Sequence, residues 1–134
     1  KFSHVTPVLR SLHWLKIPER IQFKLCSITL KTIQSSKPVY LRNLLTIQPP
    51  RSTRSSSCLT LSRPPCPSRL KSTSRAFRYA APVIWNSLPS SLRYISATSS
   101  TSSTAPGSSH FLAISNATFL SKLKSYLFLR SYPP

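Results

Sequence analysis

The residues that could do catalytic chemistry in this chain of 134 residues are three cysteines, three histidines and one acid, Glu19. Two-metal phosphoryl transfer needs clustered carboxylates, and a Ser-His-Asp triad needs an acid that orients its histidine. Cysteine and histidine could form a nucleophilic pair or a zinc site, but no local signature or common spacing supports either. The residues concerned are Cys26, Cys58, Cys66, His4, His13 and His110. We therefore predict a protein that is not an enzyme, without cofactor or metal, whose thiols are structural.

The balance of charge points to binding chemistry instead. Lysine and arginine number 19 against the single acid, which gives a formal net charge of +18. Such a chain repels itself and needs an anionic partner. Nucleic acid is the leading candidate, and an anionic membrane surface is the second. The single glycine, Gly107, excludes a glycine-rich phosphate-binding loop.

Basic residues are concentrated between positions 51 and 79, where aromatic residues lie among them. Arginine and lysine neutralise phosphates, and aromatic rings stack on unpaired bases. The predicted phosphate contacts are Arg51, Arg54, Arg69, Lys71, Arg75 and Arg78. Tyr79 is the candidate for base stacking. In the alternative interpretation Phe77, Tyr79 and Trp85 are core residues and the arginines form a solvated face; we favour the core for Trp85 and leave Tyr79 open.

Helical spacing dominates the rest of the chain. Three N-terminal helices are predicted to begin near Thr6, Pro18 and Pro38, because proline is favoured in the first turn of a helix. Residues 21–25 alternate like a strand, but a segment of roughly 16 residues without a turn signal favours a helix. A final helix, capped by Asn116, has an apolar face. That face consists of Phe119, Leu120, Leu123, Tyr126 and Leu127.

The middle of the chain predicts a small amount of β-structure. Residues 58–61 and 76–79 are expected to pair as a short basic hairpin, and residues 82–87 to form a helical turn. Residues 96–109 are mostly serine and threonine and are predicted to be a disordered loop. The fold class is therefore α+β, mainly helical. Residues 1–94 form the helical and hairpin module, residues 95–115 an insertion, and residues 116–134 the helix that completes the module.

Features of targeting are missing from the sequence. No run of about 18 apolar residues is present, and the N-terminus lacks a signal-peptide pattern. An odd number of cysteines without a C-x-x-C pair is typical of a reducing compartment. We expect a nuclear or cytoplasmic protein that is not secreted, a piece of something longer, with RNA or DNA as partner and no membrane or small-molecule substrate.

Six blocks of residues carry a resemblance to a known family. The first runs from His4 to Leu15 (HVTPVLRSLHWL), and the fifth runs from Arg75 to Pro89 (RAFRYAAPVIWNSLP). The others lie in order at 20–31, 38–45, 51–56 and 119–128. Together they resemble the C-terminal tail of the reverse-transcriptase polyprotein of LINE-type, non-LTR retrotransposons.

The chain also departs from this pattern. Lys16 stands where the family commonly has proline, Ser35 where it has glycine, and Arg42 where it has aspartate. Thr73 and Ser74 replace a Gly-Asp pair, and the Ser/Thr stretch after residue 93 is an insertion. Losing acids and glycines in this way is typical of a degenerate copy.

The resemblance implies an endonuclease and a reverse transcriptase upstream, whose catalytic carboxylates are not in this chain. It implies that the tail helps to hold template RNA or target DNA during target-primed reverse transcription. Two alternatives stay open. The chain is a scaffold segment that docks on the polymerase, or it is a decayed fragment with no function, which would show no cooperative unfolding.

Overall fold

The computed structural model describes residues 4–49, 58–65, 71–93 and 115–134. Seven α-helices lie in these residues and account for 66% of them. Their bounds are Val5–Ser11 (α1), Ile17–Ser35 (α2), Val39–Arg42 (α3), Lys71–Ser74 (α4), Phe77–Asn86 (α5), Ser90–Arg93 (α6) and Asn116–Ser131 (α7). The prediction of a mainly helical fold with three N-terminal helices is confirmed. The predicted disordered loop at residues 96–109 lies outside the described residues.

Helix α2 is the centre of the packing and contacts both α5 and α7. Its buried stripe includes Cys26, Leu30 and Ile33, whose spacing of four and three residues keeps one face toward the core. Thr29 is buried on the same side, and its hydroxyl donates to the Leu25 carbonyl oxygen at 2.8 Å. The helix assignment of this segment is confirmed, because the period of its buried residues is helical throughout.

Three helices begin one or two residues earlier than predicted. Helix α1 begins at Val5 with His4 as the N-cap, so Thr6 lies inside the helix. Helix α7 begins at Asn116, and its N-cap is Ser115. At Pro18 the helix already includes the preceding residue, Ile17. Proline belongs in the first helical turn, where its missing N–H group has no partner to lose.

The segment expected to supply the second strand of the hairpin is helical, so that prediction is wrong. Only Ala76 is extended, as the N-cap of α5, and the helix begins at Phe77. The reason is the spacing of Phe77, Ala81 and Trp85, which puts three apolar side chains on one helical face. Pro82, inside the helix, is buried with Ala81 and Trp85. The predicted helical turn at residues 82–87 is confirmed as the end of α5.

Among the described residues, the strand-like pairing that can be assigned joins short segments on either side of residue 50. Ile47 and Leu61 form an isolated antiparallel bridge. It is flanked by hydrogen bonds from the backbone N–H of Gln48 to the Thr60 carbonyl and from that of Ser62 to the Thr46 carbonyl, both 2.8 Å. No sheet occurs in the described parts of the chain, and neither the α+β class nor the hairpin is confirmed.

Helix α7 closes the core. Phe119, Leu123 and Leu127 are buried at intervals of four residues, as the apolar face predicted. The ring of Phe119 stacks on Trp85 of α5, with ring centroids 5.7 Å apart and planes inclined by 26°. The core therefore lies between α2, α5 and α7. Among the helices of the described residues, none is long and apolar enough to cross a membrane.

Candidate nucleic-acid interface

Trp85 and Asn86, at the end of α5, hold the extended segment 58–62 in place through hydrogen bonds. The indole N–H of Trp85, whose side chain is 2% exposed, donates to the Leu59 carbonyl at 3.1 Å. The Asn86 side chain accepts from the Leu61 backbone N–H at 3.0 Å and donates to the Leu61 carbonyl at 2.8 Å. One amide thus satisfies both backbone groups of a buried residue, as a neighbouring strand would. The core interpretation of Trp85 is confirmed, and these residues build the fold.

The predicted phosphate contacts are only partly described. Arg51, Arg54 and Arg69 lie outside the described residues. Lys71 is the first residue of α4. Arg75 and Arg78 are exposed on either side of the start of α5, and Tyr79 is half-buried beside them.

Electrostatics at the start of α5 favour an anion. The N-terminus of a helix carries a partial positive charge, which is ordinarily matched by acidic residues in the first turn. The first turn of α5 has no acidic residue and contains Arg78. Arg75 adds a second exposed cation just before the helix. Positive charge therefore accumulates at this helix end without an internal counter-charge from its first turn.

A second basic and aromatic cluster was not predicted. A cleft of about 270 Å³ is lined by His13, Trp14, Leu15, Arg20 and Lys124, which we call the Trp14 cleft. The Trp14 indole is 55% exposed, and the Arg20 guanidinium lies over it at 5.1 Å from the ring centroid. In the structure α1 ends at Ser11, so Trp14 follows the helix and escapes burial.

Contacts with the end of α7 fix the backbone around this cleft. The hydroxyl of Tyr132 donates to the Trp14 carbonyl at 3.0 Å. The His13 ring stacks on Phe128, with centroids 5.6 Å apart. The Trp14 backbone N–H donates to the Leu9 carbonyl at 2.9 Å. No sequence signal links residues 14 and 132, because their contact depends on how α7 docks.

A wider cavity of about 800 Å³ lies between α1 and the end of α7. Its lining includes three basic side chains, His4, Arg10 and Lys16, and no acidic one. The Lys16 ammonium lies 5.0 Å from the centroid of the Tyr132 ring, which also lines the cavity. This cavity extends the basic character of the surface around α1.

Two of the groups considered for catalysis, Cys26 and Glu19, are buried or half-buried. Cys26 is buried, and burial raises the pKa of its thiol to about 12, so it is protonated and unreactive at neutral pH. The thiol of Cys58, by contrast, is only half-buried. Glu19 is half-buried at the start of α2, with one carboxylate oxygen buried and without a hydrogen bond. No group of three His, Cys, Asp or Glu side chains able to hold a metal lies within the described ranges.

The lysines and arginines among the described residues fall into two groups, those that support the fold and those that are exposed. Arg42 and Arg93 are half-buried and donate to the carbonyls of Leu45 and Leu88 at 3.0 and 2.9 Å, which supports the fold. Most others are exposed. No described lysine or arginine side chain is buried, so the positive charge lies at the surface.

Comparison of the chain with protein-family models, curated proteins and solved structures finds no match to any of them.

Proposed function

We propose that this chain is a non-catalytic nucleic-acid-binding module. The observation that carries the proposal is the surface charge: 19 basic residues face a single acid, and none of the described basic side chains is buried. One carboxylate cannot neutralise this charge within the fold. A polyanion does so, and the counterions it releases drive binding.

The first part of the proposed interface is the start of α5. Arg75 and Arg78 are exposed beside the positive end of that helix. Guanidinium groups pair with phosphate in a two-pronged geometry, which makes arginine well suited to this role. Tyr79 is half-buried, so part of its ring reaches solvent next to both arginines and stacks on a base there. We keep Arg51, Arg54, Arg69 and Lys71 in the proposed interface on the basis of their sequence alone.

The biological setting of this binding is proposed from the resemblance of the sequence blocks. We propose that the chain is the C-terminal region of a non-LTR retrotransposon reverse transcriptase and helps to hold template RNA or target DNA. The reverse-transcriptase domain upstream is then a second partner.

The test is a double substitution, Arg75→Ala with Arg78→Ala, measured by RNA affinity over a series of salt concentrations. Each phosphate contact contributes about 0.7 to the slope of log affinity against log salt for single strands, so the double variant should lower the slope by about 1.4. A matched control is Lys122→Ala with Arg130→Ala, which removes the same charge from exposed positions on α7. If both double variants change affinity and slope alike, the start of α5 is not a contact surface and charge alone explains binding.

A second candidate function, protein docking, is supported by the outer face of α1. Val5, Val8 and Leu12 are exposed large apolar residues spaced by three and four positions, which forms a stripe along one side of the helix. The proposed partner is the upstream reverse-transcriptase domain. Capture of that purified domain should persist as salt is raised and should be lost in Val8→Asp. Capture that disappears with salt would argue against apolar docking.

A further inference from the structure

We propose that the Trp14 cleft is a binding subsite for one unpaired nucleotide, with the base stacked on Trp14 and the adjacent phosphate held by Arg20. The inference rests on the proposed function and deepens it, because it specifies single-stranded nucleic acid. It uses residues that lie outside the interface predicted from the sequence.

The exposure of Trp14 is the first argument. Tryptophan is highly buried on average, since its indole has a large apolar surface. The two tryptophans of this chain differ sharply: Trp85 is 2% exposed and Trp14 is 55% exposed. An indole that stays at the surface presents a flat apolar face on which any base can stack.

Rigidity is the second argument. The backbone of Trp14 is bonded on both sides, by Tyr132 at its carbonyl and by Leu9 at its N–H. A platform that is already fixed loses little conformational entropy when a ligand binds. Residues that are fixed and yet exposed are suited to recognition.

The placement of Arg20 is the third argument. Its Nε donates to the Leu15 carbonyl at 2.7 Å, and its guanidinium lies 5.1 Å from the Trp14 ring centroid. These two contacts fix the plane of the guanidinium, whose terminal amino groups make no other hydrogen bond among the described residues. Its planar fork matches a phosphate. Lys124 and His13 line the same cleft, so its charged and titratable groups are all basic.

The ligand must be unpaired because of the geometry of stacking. In a duplex the faces of the bases are covered by their neighbours, so an aromatic side chain reaches them only in single strands, loops and ends. A cleft of about 270 Å³ is on the scale of a single base rather than of a helix. The arrangement therefore selects single-stranded nucleic acid over duplex.

The experiment compares three probes of equal length: a short oligouridylate, an abasic oligomer with the same phosphates, and a duplex. Trp14→Ala should weaken oligouridylate binding by about thirty-fold, which corresponds to the middle of the range for loss of one stacked base. Its affinity for the abasic oligomer and the duplex should not change. Trp14→Phe, which keeps a ring, should retain most of the affinity. The matched control is Tyr40→Ala, which removes another exposed aromatic ring, 69% exposed on α3, and should have no effect.

Fluorescence gives a second readout that does not depend on affinity. Oligouridylate should quench the emission of exposed Trp14, whereas buried Trp85 should be unaffected, so the quenching should vanish in Trp14→Phe. If Trp14→Ala loses its helical circular dichroism, that variant is unfolded, and Arg20→Lys serves as the test of the subsite instead. It keeps the charge but loses the planar fork, and should weaken oligouridylate binding several-fold without changing the salt slope.

The outcomes separate this subsite from the proposed function. If oligouridylate and the abasic oligomer bind equally well and Trp14→Ala changes neither, while the Arg75 and Arg78 double variant binds more weakly, the subsite is wrong and the nucleic-acid function stands. If the wild-type chain binds none of the three probes, both proposals are wrong. If an acidic peptide competes with oligouridylate and is equally sensitive to Trp14→Ala, the cleft recognises a protein and the nucleotide assignment is overturned.

Discussion

Replacing Asn86 by alanine tests whether the side chain at the end of α5 holds segment 58–62 in the fold. The Asn86 amide makes two hydrogen bonds to Leu61, at 3.0 and 2.8 Å, and Leu61 is 1% exposed. Alanine leaves a buried N–H and a buried carbonyl without partners. Each such group costs about 1–3 kcal/mol, so we expect the two together to lower the free energy of unfolding by about 2–6 kcal/mol. Total stability is about 5–15 kcal/mol for a small domain, so this loss is a large fraction of it.

The measurement is urea unfolding followed by circular dichroism, with Ser87→Ala as the matched control. Ser87 is the next residue, and its hydroxyl donates to the Ile84 carbonyl at 2.7 Å, but it is exposed. Water replaces that bond, so the control should lose less than about 0.5 kcal/mol. The dependence on urea should keep its slope in both variants. If Asn86→Ala loses no more than Ser87→Ala, the Leu61 backbone is solvated and segment 58–62 is not docked on α5.

Two further predictions follow from particular contacts. In a variant with Cys26 as the only cysteine, thiol labelling at mildly alkaline pH should occur only as fast as the chain unfolds. Burial raises the pKa of Cys26 from 9.0 to about 12. The contribution of this thiol to stability should therefore be complete below pH 9.0 and fall as pH rises from there toward 12. Rapid labelling of the folded chain would contradict the burial of Cys26. Tyr132→Phe removes the hydrogen bond to the Trp14 carbonyl, and should cost about 1 kcal/mol of stability in thermal unfolding. The same variant should weaken oligouridylate binding, and unchanged binding would show that this bond does not fix the platform.

The sequence was sufficient to predict the helices whose own pattern of residues determines their structure. Helix α7 has apolar residues at a helical period, and α2 is too long for a strand. The strand predicted at residues 76–79 was wrong because a four-residue window hides the longer period that Phe77 begins. Periodicity over the whole segment through Trp85 favours a helix.

The contacts that define the candidate sites depend on residues far apart in the chain. Asn86 and Leu61 are separated by 25 positions, and Tyr132 and Trp14 by 118. Nothing local in the sequence marks Asn86 as a substitute strand or Trp14 as an exposed platform. The charge is read directly from the sequence, and the exposure of Arg75 and Arg78 fits both alternatives left open there, phosphate contacts and a solvated face. The role of Trp14 could not be predicted from the sequence.

Several residues between Arg75 and Pro89 have a structural role. Ala81, Pro82 and Trp85 are buried in the core, and Asn86 holds the neighbouring segment, so this motif is understandable as a requirement of folding. Arg42 also supports the fold, because it donates to the Leu45 carbonyl at 3.0 Å. We therefore expect a cooperative unfolding transition, which a decayed fragment would lack.

The central claim is that the described surface recognises nucleic acid, and one measurement tests it most directly. The purified chain is titrated with single-stranded RNA, single-stranded DNA and duplex DNA over a salt series, with circular dichroism on the same sample. We predict a folded chain that prefers a single strand, with a preference that persists near physiological salt. An unfolded chain that binds every polyanion alike, with affinity that collapses as salt rises, would contradict the account, because charge alone would then explain the binding.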